Sequence, residues 1–181
     1  PRIQVEHGVT EMVTGVDLVK EQIRIAEGNR LSFSQSDIRC QGHVVEVRIY
    51  AEDPDKDMMP FPGRIYRYSE PIMKNIRTES AVASGSDILP DFDPLVAKIL
   101  SHMPSRIEAI NQVENALDKM IITGIRHNIP LIRSILNHEH YLRNVISTTY
   151  LQDNINTFKD HIKSRRSIVK ATDLVFAAAI I

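Results

Sequence analysis

The sequence predicts an α+β fold in which helices cover an antiparallel sheet. Strand-like segments are grouped between residues 43 and 84, and segments with an apolar residue at every third or fourth position are grouped between residues 105 and 136. A group of strands followed by a group of helices is typical of the α+β class. A further strand and helix, predicted within residues 2–27, precede this unit.

The segment His43–Tyr50 has the strongest strand signal. It is rich in β-branched residues and alternates only imperfectly, as a strand buried on both faces would. Its alternation places Glu46, Arg48 and Tyr50 on one face. Prolines indicate a loop and a turn in the ranges 51–63 and 89–94, and shorter strands are predicted in the ranges 64–68, 75–78 and 81–84.

Two helices are predicted in the second half of the sequence. Ser105 and Glu108 have the spacing of a capping box, and the helix that they begin carries an apolar stripe until Gly124. The stripe consists of Ile107, Ile110, Val113, Leu117, Met120 and Ile121. A shorter helix is predicted over residues 128–136, with Pro130 in its first turn. We expect the longer helix to lie on the sheet.

The first residues alternate polar and apolar side chains, which predicts a β-strand over residues 2–7. Period 2 places Arg2, Gln4 and Glu6 on one side, roughly 7 Å apart, close enough to converge on one small polar ligand. A surface strand with its polar face in water would show the same pattern, so both interpretations stay open at this point.

A helix is predicted directly after this segment. Thr14 and Asp17 have the spacing of a capping box, and the helix then covers residues 16–27 and ends at Gly28. Its apolar stripe, which indicates a packing face, consists of Val16, Val19, Ile23 and Ala26.

The composition limits the classes of function. The 181 residues suffice for one domain, or for one domain and a piece of another, and 22 basic against 23 acidic residues give no sign of a nucleic-acid or membrane partner. Cys40 is the single cysteine, which rules out a disulfide framework and fits a reducing compartment. No signal peptide or apolar run of about 18 residues is present. Because a strand-like segment follows Pro1 at once, we expect the chain to be cut from a longer protein.

Several motifs fit a structural explanation better than a chemical one. The seven glycines form neither GxGxxG nor GxxxxGK[ST]. His138 and His140 would lie about 200° apart on a helix, which favours a helix-end feature over a metal site. The basic stretch from Lys159 to Lys170 indicates a solvated helix face or linker. The apolar tail 175–181 indicates a helix separated from its partner domain.

Arginine and carboxylate side chains on strands are the remaining candidates for chemistry. Arg2, Gln4 and Glu6 lie on one predicted strand, and Arg48 and Glu46 lie on another. A guanidinium can bind a carbonate-like anion through two parallel hydrogen bonds, a nearby carboxylate can accept its proton, and a second guanidinium can stabilise an oxyanion. The spacing alone therefore supports an anion site and nothing more specific.

The residues around these candidates resemble biotin carboxylases. The run from Arg2 to Ala26 is similar to the end of the ATP-grasp module of these enzymes, and further motifs keep the family's order and spacing up to about residue 150. These motifs are Gly42-His43, Glu46-Val47-Arg48-Ile49-Tyr50-Ala51-Glu52-Asp53-Pro54, Pro62-Gly63, Asp93-Pro94-Leu95-Val96-Ala97-Lys98 and Gly124-Ile125-Arg126-His127-Asn128-Ile129.

Within the family, residues 50–54 and 85–88 most resemble the biotin-containing subunit of acyl-CoA carboxylases of the propionyl-CoA type. Acetyl-CoA, methylcrotonyl-CoA and pyruvate carboxylases stay open as alternatives. Two residues depart from the family pattern: Gly8 stands at a usual proline, and Phe92 stands at a usual tyrosine.

The resemblance implies roles for particular residues. Arg2, Gln4 and the backbone of Val5 match the positions that hold bicarbonate, and Glu6 matches the base that deprotonates it. Arg48 matches the arginine that binds biotin and steadies the charge on its ureido oxygen. Arg2, Glu6 and Arg48 are therefore the expected catalytic residues, and no metal ligand is implied in these residues.

The resemblance also implies an organisation. Residues 1–39 would be a remnant of the ATP-grasp domain, residues 40–150 the biotin carboxylase C-terminal domain, and residues 151–181 a linker or the helical start of the next region. The full enzyme would be an ATP-dependent ligase that uses ATP with Mg²⁺ or Mn²⁺, bicarbonate, and biotin on a separate carrier domain. We expect the carrier domain, a carboxyltransferase subunit and a second copy as partners, in bacterial cytoplasm or mitochondrial matrix.

We expect the isolated chain to be inactive and to bind no cofactor. The family's upstream metal-binding glutamates, glycine-rich lid and ATP lysines are absent from the sequence, and so is the biotinyl motif Ala-Met-Lys-Met. An alternative function is a non-catalytic dimerisation module, with residues 64–78 as its main feature.

Overall fold

The structure, a computed structural model, describes residues 2–167. The helices in this range are α1 (His7–Thr14), α2 (Leu18–Ala26), α3 (Arg106–Lys119), α4 (Ile129–Leu136), α5 (Glu139–Leu142) and α6 (Tyr150–Ser167). The strands are β1 (His43–Tyr50), β2 (Glu52–Asp53), β3 (Met59–Pro60), β4 (Gly63–Arg64), β5 (Arg67–Ser69), β6 (Ile76–Ser80), β7 (Asp87–Ile88), β8 (Leu95–Met103) and β9 (Ile121–Thr123). The predicted α+β class is confirmed.

Three strands form the central antiparallel sheet, in the order β1, β8, β6. The pairing of β1 with β8 is regular from His43 opposite Met103 to Ile49 opposite Ala97, and the register shifts between Ile49 and Tyr50. The strand β1 has the predicted bounds. The sequence patterns did not predict β8, although it is the central strand with which both neighbours pair. The other strands form three short antiparallel pairs, β2 with β3, β4 with β7, and β5 with β9.

The main core lies between the sheet and α3. Ile49 and Ile99 from the sheet and Val113 from α3 are each 0% exposed, and burying a side chain of this size contributes about 1.5–3 kcal/mol. The predicted capping box is confirmed, because the Ser105 N–H donates to the Glu108 carboxylate at 2.9 Å and the Glu108 N–H donates to the Ser105 hydroxyl at 3.3 Å. The helix thus lies on the sheet as expected.

The end of α3 differs from the prediction. The helix ends at Lys119 and does not continue to Gly124. The next residues, Ile121–Thr123, pair with Arg67–Ser69 as strands β9 and β5. These residues are β-branched and favour a strand where a partner is available, so the apolar periodicity overestimated the length of the helix.

The predicted shorter helix is confirmed as α4, with Pro130 in its first turn. Helix α6 packs on α4 through a second apolar cluster that contains Leu131, Tyr150, Phe158 and Ile162. In the basic stretch, Lys159 forms a 2.6 Å ion pair with Asp57. Residues 168–181, which include Lys170 and the apolar tail, lie outside the described residues. Within residues 2–167, no helix has the length and apolar character needed to cross a bilayer.

The strand predicted over residues 2–7 is wrong. Residues 2–4 have no regular secondary structure, Val5 and Glu6 form a turn, and α1 begins at His7. The turn is closed by hydrogen bonds from the His7 N–H to the Gln4 carbonyl, 3.2 Å, and from the Val9 N–H to the Glu6 carbonyl, 3.0 Å. A strand needs a partner, and the sheet pairs of the described residues do not include this segment.

The predicted helix over residues 16–27 is present as α2 but begins later. Asp17 caps it by accepting the Lys20 N–H at 2.8 Å, whereas Thr14 belongs to α1. The predicted packing face is also wrong, because Val19 is 44% and Ile23 is 56% exposed. The buried residue is Glu21, which accepts hydrogen bonds from the Ser32 N–H and hydroxyl, so α2 contacts the following loop through a polar side chain.

The strands predicted between β1 and β8 are only partly confirmed. The range 75–78 lies almost entirely within β6, and the range 64–68 is interrupted between β4 and β5. The strand predicted at 81–84 is wrong, because residues 81–83 are irregular and a turn follows at residues 84 and 85, next to which the Ala83 N–H donates to the Ser86 hydroxyl at 3.0 Å. The φ angle of +92° at Gly85 ends any extended conformation there.

Candidate anion site on the polar face of the sheet

The two faces of the central sheet have different chemical character. Val45, Val47 and Ile49 of β1 are buried against α3. The intervening residues Glu46 and Arg48 lie on the opposite face, next to the chain that leads into α1. The alternation of β1 therefore separates an apolar core from a charged surface, as the sequence predicted for Glu46, Arg48 and Tyr50.

A row of charged residues crosses all three strands on this face. Arg48 of β1 lies opposite Lys98 of β8, and Lys98 lies opposite Glu79 of β6. Cross-strand neighbours are about 4.5–5.5 Å apart at Cβ, which allows long charged side chains to pair. Lys98 binds Glu79 with an N to O distance of 2.6 Å.

Arg48 connects the sheet with the first turn of the chain. Its guanidinium binds Glu6 through Nη2 at 2.9 Å and Glu46 through Nε at 3.4 Å. Burial alone would lower the pKa of Arg48, but hydrogen bonds to Tyr50 and Glu46 outweigh that effect and raise it. The Arg48 side chain is 38% exposed, so it is a permanent cation with access to a ligand.

Glu46 supports Arg48 from inside the sheet. Its side chain is only 6% exposed, and burial raises the pKa of its carboxyl, although the positive charges of Lys98 and Arg48 oppose that shift. Within the described residues, its Oε2 atom has no hydrogen-bond partner, although it lies 3.8 Å from the Lys98 ammonium. Glu46 is thus a buried carboxyl group held behind the guanidinium of Arg48.

A second network ties α1 to the sheet. Arg77 of β6 binds Glu11 of α1 at 2.6 Å and also binds Glu79. Burial alone would raise the pKa of Glu79, but the hydrogen bond from Lys98 and the charges of Lys98 and Arg77 lower it overall. His7, Glu11 and Glu79 have ligand-type atoms within 4.8 Å of one another. Both carboxylates are already paired with cations, so we assign this group to the ion-pair network.

The structure brings together only part of the predicted site. Glu6 and Arg48 form an ion pair, as described above. Arg2 and Gln4 are exposed, and Arg2 binds the Gln4 side-chain oxygen at 3.3 Å. Within residues 2–167, no hydrogen bond or ion pair joins the side chain of Arg2 or Gln4 to Glu6 or Arg48.

Sequence reasoning missed the role of Lys98. Its ammonium donates a 2.6 Å hydrogen bond to the Val5 carbonyl, although the two residues are 93 positions apart. The available signal was a lysine in the middle of the apolar run Leu95–Met103, where an unpaired charge would be unfavourable.

The histidine pair has a structural role. His138 is the residue before α5, and its Nδ1 atom lies 2.8 Å from the Tyr150 hydroxyl. Its ring also packs edge to face on Phe158 at 5.3 Å. These contacts connect α5 with α6 and agree with the predicted helix-end feature.

Comparison with known proteins supports an assignment. The family model for the biotin carboxylase C-terminal domain matches residues 46–153. The family model for the ATP-binding domain of the carbamoyl-phosphate synthase L chain matches residues 1–34. The curated relatives include the mitochondrial propionyl-CoA carboxylase alpha chain of Mus musculus, 40% identical over 98% of this chain and 25% of that protein. They also include the biotin carboxylase of Haemophilus influenzae, 46% identical over 83% of this chain and 34% of that protein.

Solved structures agree with these matches. The biotin carboxylase domain of the 2-oxoglutarate carboxylase of Hydrogenobacter thermophilus, a dimer in complex with MgADP, ADP and bicarbonate, has a TM-score of 0.84. It is 44% identical over 87% of this chain and 35% of that chain. The sheet, its charged face and these similarities define a domain of the biotin-dependent carboxylases. The chain belongs to the biotin carboxylase C-terminal domain family, and it spans about a quarter to a third of the length of the curated relatives described above.

Proposed function

We propose that the chain forms the part of a biotin carboxylase that handles bicarbonate and the biotin oxyanion. The observation that carries this proposal is the 2.9 Å ion pair between Glu6 and Arg48, which places a carboxylate base beside a half-buried guanidinium. The reaction would carboxylate carrier-bound biotin with ATP and bicarbonate, within an acyl-CoA carboxylase. The relatives and the bicarbonate-bound neighbour support the reaction class.

Each predicted residue has a role in this proposal. Arg2, Gln4 and the Val5 backbone would hold bicarbonate, and Glu6 would accept its proton. Arg48 would stabilise the negative charge that develops on the ureido oxygen of biotin. ATP supplies the phosphoryl group that activates bicarbonate in this reaction. The 181 residues contain no glycine-rich phosphate loop, so we assign no residue of this chain to ATP or its metal ion.

We also propose the division into residues 1–39, 40–150 and 151–181. The two family models, which match residues 1–34 and 46–153, support the first boundary. The carrier domain and a carboxyltransferase subunit would be the partners. The bacterial cytoplasm or the mitochondrial matrix would be the location, in keeping with bacterial and mitochondrial relatives.

A chimera would test the proposed function. In the Haemophilus biotin carboxylase, the segment aligned with this chain would be replaced by residues 1–150 of this chain. We expect bicarbonate-dependent ADP formation and carboxylation of free biotin by this chimera. A folded chimera that hydrolyses ATP at the same rate with and without bicarbonate would contradict the proposal. The 181-residue chain alone should show neither reaction, and turnover near that of an intact enzyme would contradict this expectation.

A second candidate function, dimerisation, is supported by exposed apolar residues. Tyr66 is 72% and Ile72 is 97% exposed, and both lie in the range 64–78 that was predicted as an interface. A second copy of the chain is the proposed occupant, since the Hydrogenobacter domain is described as a dimer. Light scattering of the chain and of Ile72→Asp tests this function. A wild-type dimer that becomes monomeric in Ile72→Asp is expected, and a wild-type monomer would contradict it.

A further inference from the structure

Lys98 is a buried cation in the middle of the central strand. It is 6% exposed, and its neighbours along β8, Ala97 and Ile99, are 2% and 0% exposed. Burying an ammonium group is unfavourable unless it is paired and hydrogen-bonded. The Lys98 ammonium therefore needs specific partners, and the position of these partners indicates which parts of the chain it connects.

Three oxygen groups surround the ammonium. Glu79 lies at 2.6 Å, the Val5 carbonyl accepts a hydrogen bond at 2.6 Å, and Glu46 lies at 3.8 Å. The two carboxylates belong to the sheet, and they compensate the charge. The Val5 carbonyl belongs to the turn before α1, so Lys98 joins a rigid strand to a segment without regular secondary structure.

The Val5 carbonyl is part of the peptide group that links Val5 to Glu6. Fixing this peptide plane fixes the backbone of Val5 on one side and the Cα atom of Glu6 on the other, because the peptide group is planar. The Glu6 side chain is 59% exposed and is held from the sheet by Arg48. Without the bond from Lys98, the described ion pairs between this part of the chain and the sheet would be the exposed Glu6–Arg48 pair, which contributes little, and the Glu11–Arg77 pair in α1, which lies beyond the turn.

We propose that Lys98 is a positioning residue that holds the Val5–Glu6 peptide, and with it the bicarbonate contact and the base, against the sheet. This inference rests on the proposed function and deepens it. Lys98 does not contact the reacting atoms in this scheme. It acts through the backbone that carries them, and it lies directly opposite Arg48, which carries the other half of the site.

Kinetics of the chimera provide the first test. Lys98→Met removes the donor and keeps a side chain of similar length. We expect kcat/KM for bicarbonate to fall by about 100-fold, as for displacements of about 1 Å in other sites, while KM for ATP changes less than about twofold. Arg77→Met is the matched control, since it also removes a cation that ties α1 to this face but does not bind residues 2–6. Equal losses in the two variants, or no loss in Lys98→Met, would overturn the proposal.

Hydrogen exchange of the 181-residue chain provides a test that does not depend on activity. In Lys98→Met, the peptide that contains the His7 and Val9 amides should exchange at least about tenfold faster, while peptides of β1 and β8 keep their protection. If the sheet also loses protection, the double variant Lys98→Met with Glu79→Gln replaces it in both tests, because it removes the donor together with the carboxylate charge that loses its partner. Unchanged exchange in a folded variant would refute the anchoring role. If the wild-type chimera shows no dependence on bicarbonate, the proposed function fails, and the exchange result still decides whether Lys98 anchors the turn.

Discussion

Arg48 and Glu6 form a 2.9 Å ion pair across 42 positions of the sequence. One comes from the central sheet and the other from the turn before α1, so the pair exists only when the two parts are folded together. The guanidinium is oriented from behind by Glu46, and the turn is held by Lys98. The two groups to which we assign chemical roles in the proposal are thus held by two buried ionisable side chains of the same sheet face.

Arg48→Ala should reduce biotin carboxylation by the chimera. We expect a loss of about 2.7–4 kcal/mol of transition-state stabilisation, as for other donors to a developing oxyanion. Carboxylation of biotin, measured by fixed labelled bicarbonate, checks this prediction. Arg143→Ala, which removes an exposed arginine whose ion pair within residues 2–167 is with Glu139, is the control. Equal activity of Arg48→Ala and wild type would rule out the role.

Glu6→Gln should reduce turnover strongly and leave the free energy of unfolding nearly unchanged. The Glu6–Arg48 pair is largely exposed, so the free energy of unfolding should change by less than about 1 kcal/mol. Loss of the base should nevertheless reduce bicarbonate-dependent ADP formation by about 10²–10⁴-fold. Urea unfolding of the 181-residue chain and ADP formation by the chimera measure the two effects. A large loss of stability with unchanged turnover would reverse the assignment.

Glu79 should stabilise the fold in a pH-dependent manner. Its pKa in the folded chain lies below the ordinary value of 4.5, because interactions with Lys98 and Arg77 outweigh burial. The unfolded state therefore binds more protons between the two pKa values, and stability rises with pH there. The free energy of unfolding of wild type relative to Glu79→Gln should decrease as the pH falls below about 4.5. Urea titrations between pH 3 and 7 check the sign, and a difference that grows on acidification would contradict it.

The contribution of Glu46 to stability should depend on pH in the opposite direction. Burial raises the pKa of its carboxyl in the folded chain, so the folded state binds more protons above pH 4.5. The stability of wild type relative to Glu46→Gln should therefore fall as the pH rises from 4.5 through the folded pKa. The same urea titrations measure this difference. A relative stability that increases over this range would show that the ion pairs outweigh burial.

Gly124→Ala should destabilise the chain strongly. Gly124 has a φ of +101°, and an added Cβ would overlap the carbonyl oxygen of Arg64 in strand β4. Gly28→Ala is a matched control, because Gly28 has a φ of +86° but no atom within 4 Å of the added Cβ. We expect the free energy of unfolding to fall by more than about 3 kcal/mol in Gly124→Ala and by about 1–2 kcal/mol in Gly28→Ala. Thermal or urea unfolding measures both, and equal costs would show that the backbone at Gly124 can move away.

Local signals in the sequence predicted the elements that local interactions determine. The strand β1 follows from its β-branched residues, and the start of α3 follows from the reciprocal bonds of Ser105 and Glu108. The error in residues 2–7 has a clear cause. Alternation placed Arg2, Gln4 and Glu6 on one side, and all three are exposed, but such a pattern does not reveal whether a partner strand is present.

The site was less predictable than the fold. Its candidate residues come from the resemblance, and their pairing depends on contacts across the folded chain that no local pattern describes. The bond from Lys98 to the Val5 carbonyl spans 93 positions. The strand that carries Lys98 was missed because a short apolar run can be a strand or a buried helix segment. The apolar stripe of α2 was likewise misleading, because such a stripe indicates a packing face but does not show whether a partner covers it.

The charged row across the sheet also disfavours a shifted register between β8 and its neighbours. Successive side chains of a strand point to opposite faces, so a slip of β8 by one residue would turn Lys98 into the apolar space beneath α3. The ammonium would there lose both Glu79 and the Val5 carbonyl, and an uncompensated buried charge costs about 3–5 kcal/mol. Misaligned sheets would therefore be disfavoured during folding. The charged residues proposed to orient the site would therefore also favour the correct register of β8 when the sheet forms.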